Sequence, residues 1–358
     1  MLGRIKRLAR RILNAHKERA RVKHIINDGN YGFEKCTGAE YRFCKKRGFS
    51  TNEYRLFSLD KNDYRDYITT IESYYPRYNN GKMTVVSDNK LVFPYVLRDC
   101  FAVSENYAYV SGGRIKPMNG YAFDKDSVCD FIKDHPVILK PTGGWNGVGV
   151  TRIHHDGEGF IMNGVRTDEG QIVTLILSLK EYLMQEAISQ HDYANEIFPG
   201  SLNTIRVVSA LTREGEAHEI IAAVQRIGTS KSAPADNFAQ GGMSAIIDVE
   251  SGVLSAATGA LCFGADGNRV FFDTHPEGGQ ISGVVIPHWN EIKERIRDFT
   301  RRFPFFKFIA WDIAVGKEGE IYAIETNMKS SLGLFQVHGG MRNTRLHEVL
   351  INLKQKKV

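Results

Sequence analysis

The chain has 358 residues, of which 42% are hydrophobic and 25% are charged, a composition that excludes a mainly disordered protein. Its five cysteines include no C-x-x-C pair, which argues against a disulfide framework or a zinc site and favours reduced thiols. The net charge of +6 is concentrated near the start and no nucleic-acid-binding motif accompanies it, so a nucleic-acid partner is not expected. The longest apolar run, residues 172–179, is too short to span a membrane and the start lacks a secretory signal, so we expect a cytoplasmic protein.

Residues 1–26 combine a cluster of lysines and arginines with an aliphatic stripe and predict a basic amphipathic helix. Such a helix either binds the anionic inner face of a membrane or packs on the protein, and the sequence leaves both open. The aromatic-rich residues up to 80 predict a mainly helical N-terminal region. A polar break at residues 78–82 predicts a boundary between this region, 1–80, and a domain over 81–358 with a subdomain boundary near 185.

A glycine-rich loop between two short apolar runs is the most informative stretch of the chain. Residues 137–140 predict a strand that ends in Lys140, and residues 150–153 predict the strand that follows the loop. Glycines let backbone N–H groups approach an anion and Lys140 adds a charge, so the pattern favours phosphate binding over an ordinary hairpin. Three known nucleotide-binding motifs do not fit this stretch. A P-loop has its lysine after the glycines, and a dinucleotide-binding fingerprint opens a helix, whereas here the lysine comes first and a strand follows. The further motifs of protein kinases are missing from the sequence.

Helices and hairpins alternate along the rest of the chain. We expect helices at residues 124–133, near 176–182, at 291–303 and around 346–353, and an extended segment at 182–188. Residues 204–211 and 217–226 predict a hairpin that carries Arg206 and Arg226. Its even turn places the two arginines on opposite faces unless a β-bulge intervenes. A further hairpin is expected at residues 245–256.

Three oxygen-bearing side chains fall in an otherwise apolar hairpin over residues 308–327. Glu325 and Asn327 are two residues apart in a strand and share a face, and the turn is expected to place Asp312 opposite Ala323 on that face. Carboxylates are rarely buried without a partner, and Mg²⁺ prefers oxygen ligands. The hairpin therefore predicts a magnesium site, and a solvated face is the alternative.

The order of these motifs, from about Lys90 to Gln336, resembles the ATP-grasp enzymes and is most similar to their sugar-transfer-associated branch. The matching segments are Val137-Ile-Leu-Lys140-Pro, Gln185-Glu186, Ser201 to Arg206, Asp236-Asn237-Phe with Gly241-Gly242, His275-Pro276, Ile286-Pro287 with Trp289, Trp311-Asp312-Ile and Glu325-Thr-Asn327. The resemblance implies an α+β ATP-grasp fold, in which two α+β subdomains grip ATP between them after a mainly helical N-terminal region.

The resemblance also implies roles for individual residues, with ATP and Mg²⁺ as cofactors. It assigns the ATP phosphates to Lys90, for which Lys82 and Lys116 are nearby alternatives, and to Lys140, Gly143, Gly144 and Gly147. It assigns adenine to the backbone of Gln185, Glu186, Ala187 and Ile188, and magnesium to Asp312, Glu325 and Asn327. It places Arg206, Arg226 and Asn237 near the γ-phosphate and the acyl group.

Such enzymes activate a carboxylate as an acyl phosphate, which an amine then attacks. The implied partners are an amine and a small-molecule or sugar-acid carboxylate, in cell-surface polysaccharide biosynthesis. Two alternatives remain: a phosphotransferase that acts on a hydroxyl, and a nucleotide-binding regulatory module without turnover.

Overall fold

The computed structural model describes residues 32–74, 80–84, 89–143, 148–213, 216–328 and 330–355. The amphipathic helix predicted for residues 1–26 lies outside the described residues. The chain divides into two compact units, one formed by residues up to 79 together with those from 331 onward, and one formed by residues 80–330. In the described part of the chain, no helix is long and apolar enough to cross a membrane.

The helices in chain order are α1 (Gly38–Arg47), α2 (Thr51–Leu56), α3 (Thr70–Tyr74), α4 (Phe93–Leu97), α5 (Val128–Asp134), α6 (Glu169–Ser178), α7 (Asp192–Ile197), α8 (Trp289–Arg302), α9 (Gly333–Gln336) and α10 (Arg345–Gln355). The strands are β1 (Asn106–Ser111), β2 (Arg114–Pro117), β3 (Val137–Pro141), β4 (Thr151–His155), β5 (Phe160–Met162), β6 (Val165–Thr167), β7 (Tyr182–Glu186), β8 (Ile205–Ala210), β9 (Glu219–Ile227), β10 (Met243–Ile247), β11 (Leu254–Gly259), β12 (Phe308–Val315) and β13 (Ile321–Asn327).

The unit with the chain's first and last described residues is helical. Capping boxes at Thr37 and Ser50 start α1 and α2, because each side chain accepts from the third backbone N–H of its helix while a glutamate there caps in return. The later segment is tied to the earlier one by side chains: Gln336 bonds both backbone groups of Ile68, at 2.7 and 2.9 Å. This unit confirms the predicted helical N-terminal region.

The first sheet of the larger unit is antiparallel, with strand order β2-β1-β7-β3-β4-β5-β6. Alternate residues of its strands, such as Val137 and Leu139, form one apolar face. Helices α5 and α6 cover that face with buried side chains that include Ile132 and Ile176. The opposite face of the sheet is left to carry polar side chains.

The second sheet is also antiparallel, with strand order β11-β10-β9-β8-β12-β13. Helix α8 packs its apolar stripe against it, and the ring of Phe299 meets that of Trp311 edge-on with centroids 5.0 Å apart. The fully buried Trp311 donates its indole N–H to Ser209 Oγ at 2.9 Å, so its polar atom is satisfied. This packing fixes β12, the strand that carries Asp312.

The combination of helices with two antiparallel sheets confirms the predicted α+β class. The helix expected near residues 176–182 is wrong, because Asp168 caps the N–H of Gln171 at 2.9 Å and starts α6 earlier, while Tyr182 already begins β7. The domain expected at 81–358 stays a prediction, and the structure groups its last described residues, 331–355, with residues 32–74.

Candidate functional site

A cleft that is open to solvent lies between the two sheets, and its volume is about 380 Å³ when the open space is included. The first sheet contributes Lys140 and Gln185, and the second contributes Ala323 and Glu325. Lys90 joins them from the turn before α4. The cleft therefore brings two cationic side chains and a carboxylate together.

Lys140 is the last residue but one of β3, and its side chain lies on the face opposite Val137 and Leu139 because successive side chains of a strand alternate between faces. Burial lowers the pKa of Lys140 to about 8, and Lys90 acts in the same direction while Glu325 opposes it. Two neighbouring ammonium groups in a partly desolvated cleft favour an anion. Of the two alternatives to Lys90, Lys116 is exposed on the edge strand β2, and the side chain of Lys82 lies outside the described part.

Asp312 and Glu325 face each other across neighbouring strands. They are register partners of β12 and β13, whereas Ile313 pairs with Ala323, so a β-bulge separates the two pairs. The expectation that Asp312 lies opposite Ala323 is wrong, because the bulge inserts one extra residue into β13. The two carboxylates still share a face, and Asn327 shares it with Glu325 by strand alternation.

Two arginines hold the carboxylate of Asp312 from β8 and β9. Arg206 donates Nε and Nη2 to it, the second at 2.8 Å, and Arg226 donates Nη1 at 2.8 Å. The register of β8 and β9 shifts between Val208 and Ser209, and this bulge is what brings both arginines to one face. Of the two alternatives raised by the sequence, the bulge is the one that the structure contains.

The arginines have further partners that fix their positions. Arg206 Nη1 donates to Ser330 Oγ at 2.7 Å, and Arg226 Nη2 lies 2.7 Å from Asp236 Oδ1. Asp236 itself accepts from the backbone N–H and the hydroxyl of Thr204, at 2.8 and 2.5 Å. The guanidinium groups are thus held before any ligand arrives.

The electrostatics of the two carboxylates differ. Burial alone would raise the pKa of Asp312, but Arg206 and Arg226 hold it below its ordinary value. Burial and the facing Asp312 raise the pKa of Glu325, against the influence of Lys90. A carboxylate whose pKa is raised by burial and by a second carboxylate is stabilised in its charged form when a further cation binds beside it, as a divalent cation would do.

The ligands available for such a cation include few protein groups. Among the described residues, no three His, Cys, Asp or Glu side chains cluster into a metal site. A cation at Asp312 and Glu325 would therefore take its other ligands from Asn327, water or a phosphate, which suits Mg²⁺. The donor set fits the predicted metal on these terms.

The remaining predicted residues are placed as follows. Gly143 is described and exposed, while Gly144 and Gly147 lie outside the described residues. The N–H groups of Glu186 and Ala187 donate to backbone carbonyls of the protein, both at 2.9 Å, so they are engaged at the predicted adenine position. The adenine assignment for this segment, including Gln185 and Ile188, stays a prediction.

Asn237 is buried and its side chain accepts from the N–H of Ala239 at 3.0 Å, where it caps a 3₁₀ turn at Phe238–Gln240. This contact gives Asn237 a structural role beside its predicted catalytic one. Sequence reasoning had not included Asp236 or Ser330 in the site. Asp236 precedes Asn237 in a matching segment, which was the available signal, but nothing in the pattern of residues indicated that it contacts Arg226.

A family model described as sugar-transfer associated ATP-grasp matches residues 70–350. The chain belongs to this family. The match includes both sheets, the cleft between them and the residues placed above, and it confirms the resemblance seen in the sequence. No curated protein sequence matches this ATP-grasp chain.

Solved structures of other ATP-grasp proteins are similar at low levels. PsnB, an ATP-grasp ligase complexed with precursor peptide PsnA2 and AMPPNP, is 14% identical with a TM-score of 0.39, over 77% of this chain and 61% of that one. D-alanyl-alanine synthetase A from Vibrio cholerae is 13% identical with a TM-score of 0.40, over 75% and 64%. An L-amino acid ligase from Bacillus licheniformis is 8% identical with a TM-score of 0.42, over 75% and 48%.

The chain spans about three fifths of the length of the first solved structures that it matches, at 61%, 62% and 63%. At these TM-scores the likeness carries no argument about substrates.

Proposed function

We propose that the chain binds ATP with Mg²⁺ in the cleft between the two sheets. The observation that carries this proposal is that Lys90 and Lys140 line one cleft together with Glu325, whose register partner is Asp312. The lysines would hold the phosphates with the glycine loop, and the acidic pair with Asn327 would hold the metal. When bound, Mg²⁺ would neutralise charge on the phosphoryl group that is transferred.

The reaction that we propose is ATP-dependent ligation of a carboxylate to an amine through an acyl phosphate. The substrate carboxylate attacks the γ-phosphorus, ADP leaves, and the amine then displaces phosphate from the acyl carbon to form an amide. Arg206 and Arg226 are cations already fixed beside Asp312, so they can stabilise the phosphoryl charge without reorganisation. No covalent bond to the protein is required.

The substrate class that we propose is a sugar acid, joined to an amino compound in cell-surface polysaccharide biosynthesis. The description of the matching family supports a link to sugar transfer. The proposed location is the cytoplasm, with residues 1–26 in contact with the inner face of the membrane, and the basic aliphatic pattern of that segment supports the contact.

Hydroxylamine provides the test of the reaction type. A ligase that is given ATP, Mg²⁺ and a pool of sugar acids should release ADP and convert the activated carboxylate into a hydroxamate when hydroxylamine replaces the amine. A phosphorylated sugar recovered in a one-to-one ratio with ADP, without hydroxamate, would show a kinase instead. ADP release that Glu325→Ala does not reduce would remove the metal assignment.

A further inference from the structure

Arg152 lies on the face of the first sheet that forms the cleft wall. It is the register partner of Ile138, and Ile138 is in turn the register partner of Gln185, which lines the cleft. Ile138 and Lys140 are two residues apart in β3 and share that face. Gln185, Ile138 and Arg152 therefore form one row across three strands, next to Lys140.

The position of Arg152 relative to Lys140 is set by the strand register. Leu139 pairs with Thr151, so Lys140 and Arg152 are diagonal neighbours on one face. Such neighbours have Cα atoms about 7–8 Å apart, within reach of two long side chains. The backbone of Arg152 is held on both sides, because its N–H donates to Asn163 Oδ1 at 2.8 Å and its carbonyl accepts from the N–H of Asn163 at 2.9 Å.

One buried nitrogen of the Arg152 guanidinium has no hydrogen-bond partner among the described residues. Its Nε–H is buried and donates to no acceptor in the described part of the chain. Nδ1 of His154, two residues on and on the same face, is also buried and has no hydrogen-bond partner there. Burial lowers the pKa of Arg152, and no carboxylate among the described residues offsets this. A half-buried guanidinium whose inner N–H has no acceptor destabilises the fold, and an anionic ligand bound there would offset this cost.

Three other arginines in the described part of the larger unit have carboxylate partners. Arg206 and Arg226 are bound to Asp312. Arg166 on β6 shares the face of Arg152 through the β4, β5 and β6 register, yet it bonds Asp156 at 2.7 Å and Glu158 at 3.2 Å. Arg152 differs from these because its buried Nε–H has no acceptor among the described residues.

We propose that Arg152 is a phosphate-binding residue of the nucleotide site, which adds a cation from β4 beside Lys140 to hold the phosphate groups of the bound nucleotide. This inference rests on the proposed binding of ATP. A phosphate fits better than the adenine ring because the unmet requirement is for negative charge, and the guanidinium fork matches phosphate oxygens. His154 would remain neutral beside it, since burial and Arg152 both lower the pKa of His154 against the opposing influence of Asp156.

The test compares the binding of ADP and adenosine, each titrated calorimetrically in Mg²⁺ buffer into wild type, Arg152→Met, Arg152→Lys and Arg166→Met. Arg152→Met should weaken ADP binding about 10-fold to 100-fold, as expected for the loss of a charged hydrogen bond, and change adenosine binding by less than about twofold. Arg152→Lys should keep part of the ADP affinity because the charge remains. Arg166→Met, the matched control, should leave both affinities unchanged.

A second readout needs no nucleotide. Ligand-free Arg152→Met should unfold at the same temperature as wild type or higher, since the change removes a half-buried charge whose Nε–H has no acceptor. Equal ADP affinity in wild type and Arg152→Met would overturn the inference, and so would equal losses for ADP and adenosine, which would indicate contact with the base. If wild type itself binds neither ligand, the proposed nucleotide site fails and this inference fails with it.

Discussion

Replacing Gly242 with alanine should displace the loop that positions Arg226. A Cβ at this buried glycine would lie 2.8 Å from the carbonyl oxygen of Asp236 and 2.9 Å from that of Asn237. Both obstacles are backbone atoms, which cannot rotate away as the end of a side chain can. Forcing an extra methyl group into such a packed place costs about 1–3 kcal/mol. For a unit of this size, that cost corresponds to a fall of about 2–12 °C in the unfolding midpoint.

The assay is differential scanning calorimetry of the Gly242→Ala protein together with its rate of ADP formation. Because the displaced segment carries the carboxylate that bonds Arg226, the rate should fall by more than the loss of folded protein explains. Gly143→Ala is the stability control, since no described heavy atom lies within 4 Å of a Cβ built there. An unfolding midpoint for Gly242→Ala within 1 °C of wild type, the control being likewise unchanged, would refute the steric reasoning.

Three further outcomes are expected. Asp312→Ala and Glu325→Ala should each abolish Mg²⁺-dependent ATP turnover, and normal turnover in a folded Glu325→Ala protein would exclude the metal role. His218 is buried, and burial lowers its pKa to about 4, so as the pH falls the unfolded state takes up the proton before the folded state does. Urea titrations should therefore show that the free energy of unfolding falls by about 2 kcal/mol from pH 7 to pH 5. The His218→Gln protein should not show this loss. Because of residues 1–26, the protein should co-sediment with anionic vesicles but not with neutral ones. Equal sedimentation with both would exclude the membrane role and favour a helix that packs on the protein.

Much of the site could be predicted because its signals are local. A strand that ends in Lys140 before a glycine loop, and carboxylates at Asp312 and Glu325 in an apolar hairpin, can each be read within about ten residues. That Lys140 and Glu325 line one cleft followed from the family resemblance. The β8–β9 and β12–β13 hairpins lie where the alternation of turns and apolar runs predicted them.

The register of those hairpins could not be predicted. Residues of β9 are buried on both faces, so its sequence lacks the alternation of apolar and polar residues that would reveal an extra residue. The bulge that unites Arg206 with Arg226 is therefore invisible in the sequence. The contacts of Asp236 with Arg226 and of Ser330 with Arg206 could not be predicted for a different reason. They depend on the conformations of loops, which no periodicity in the sequence indicates.

The helical unit combines an early and a late segment of the chain, which has a consequence for protein synthesis. Glu72 binds Arg342 at 2.7 Å, and these partners are separated by 270 residues. At ordinary rates of translation the later partner emerges roughly 15 to 55 seconds after the earlier one. Residues 80–330 are complete before that moment, so this unit is able to fold first although it is made second. The earlier helices can make their contacts with the late segment only after the larger unit has been synthesised.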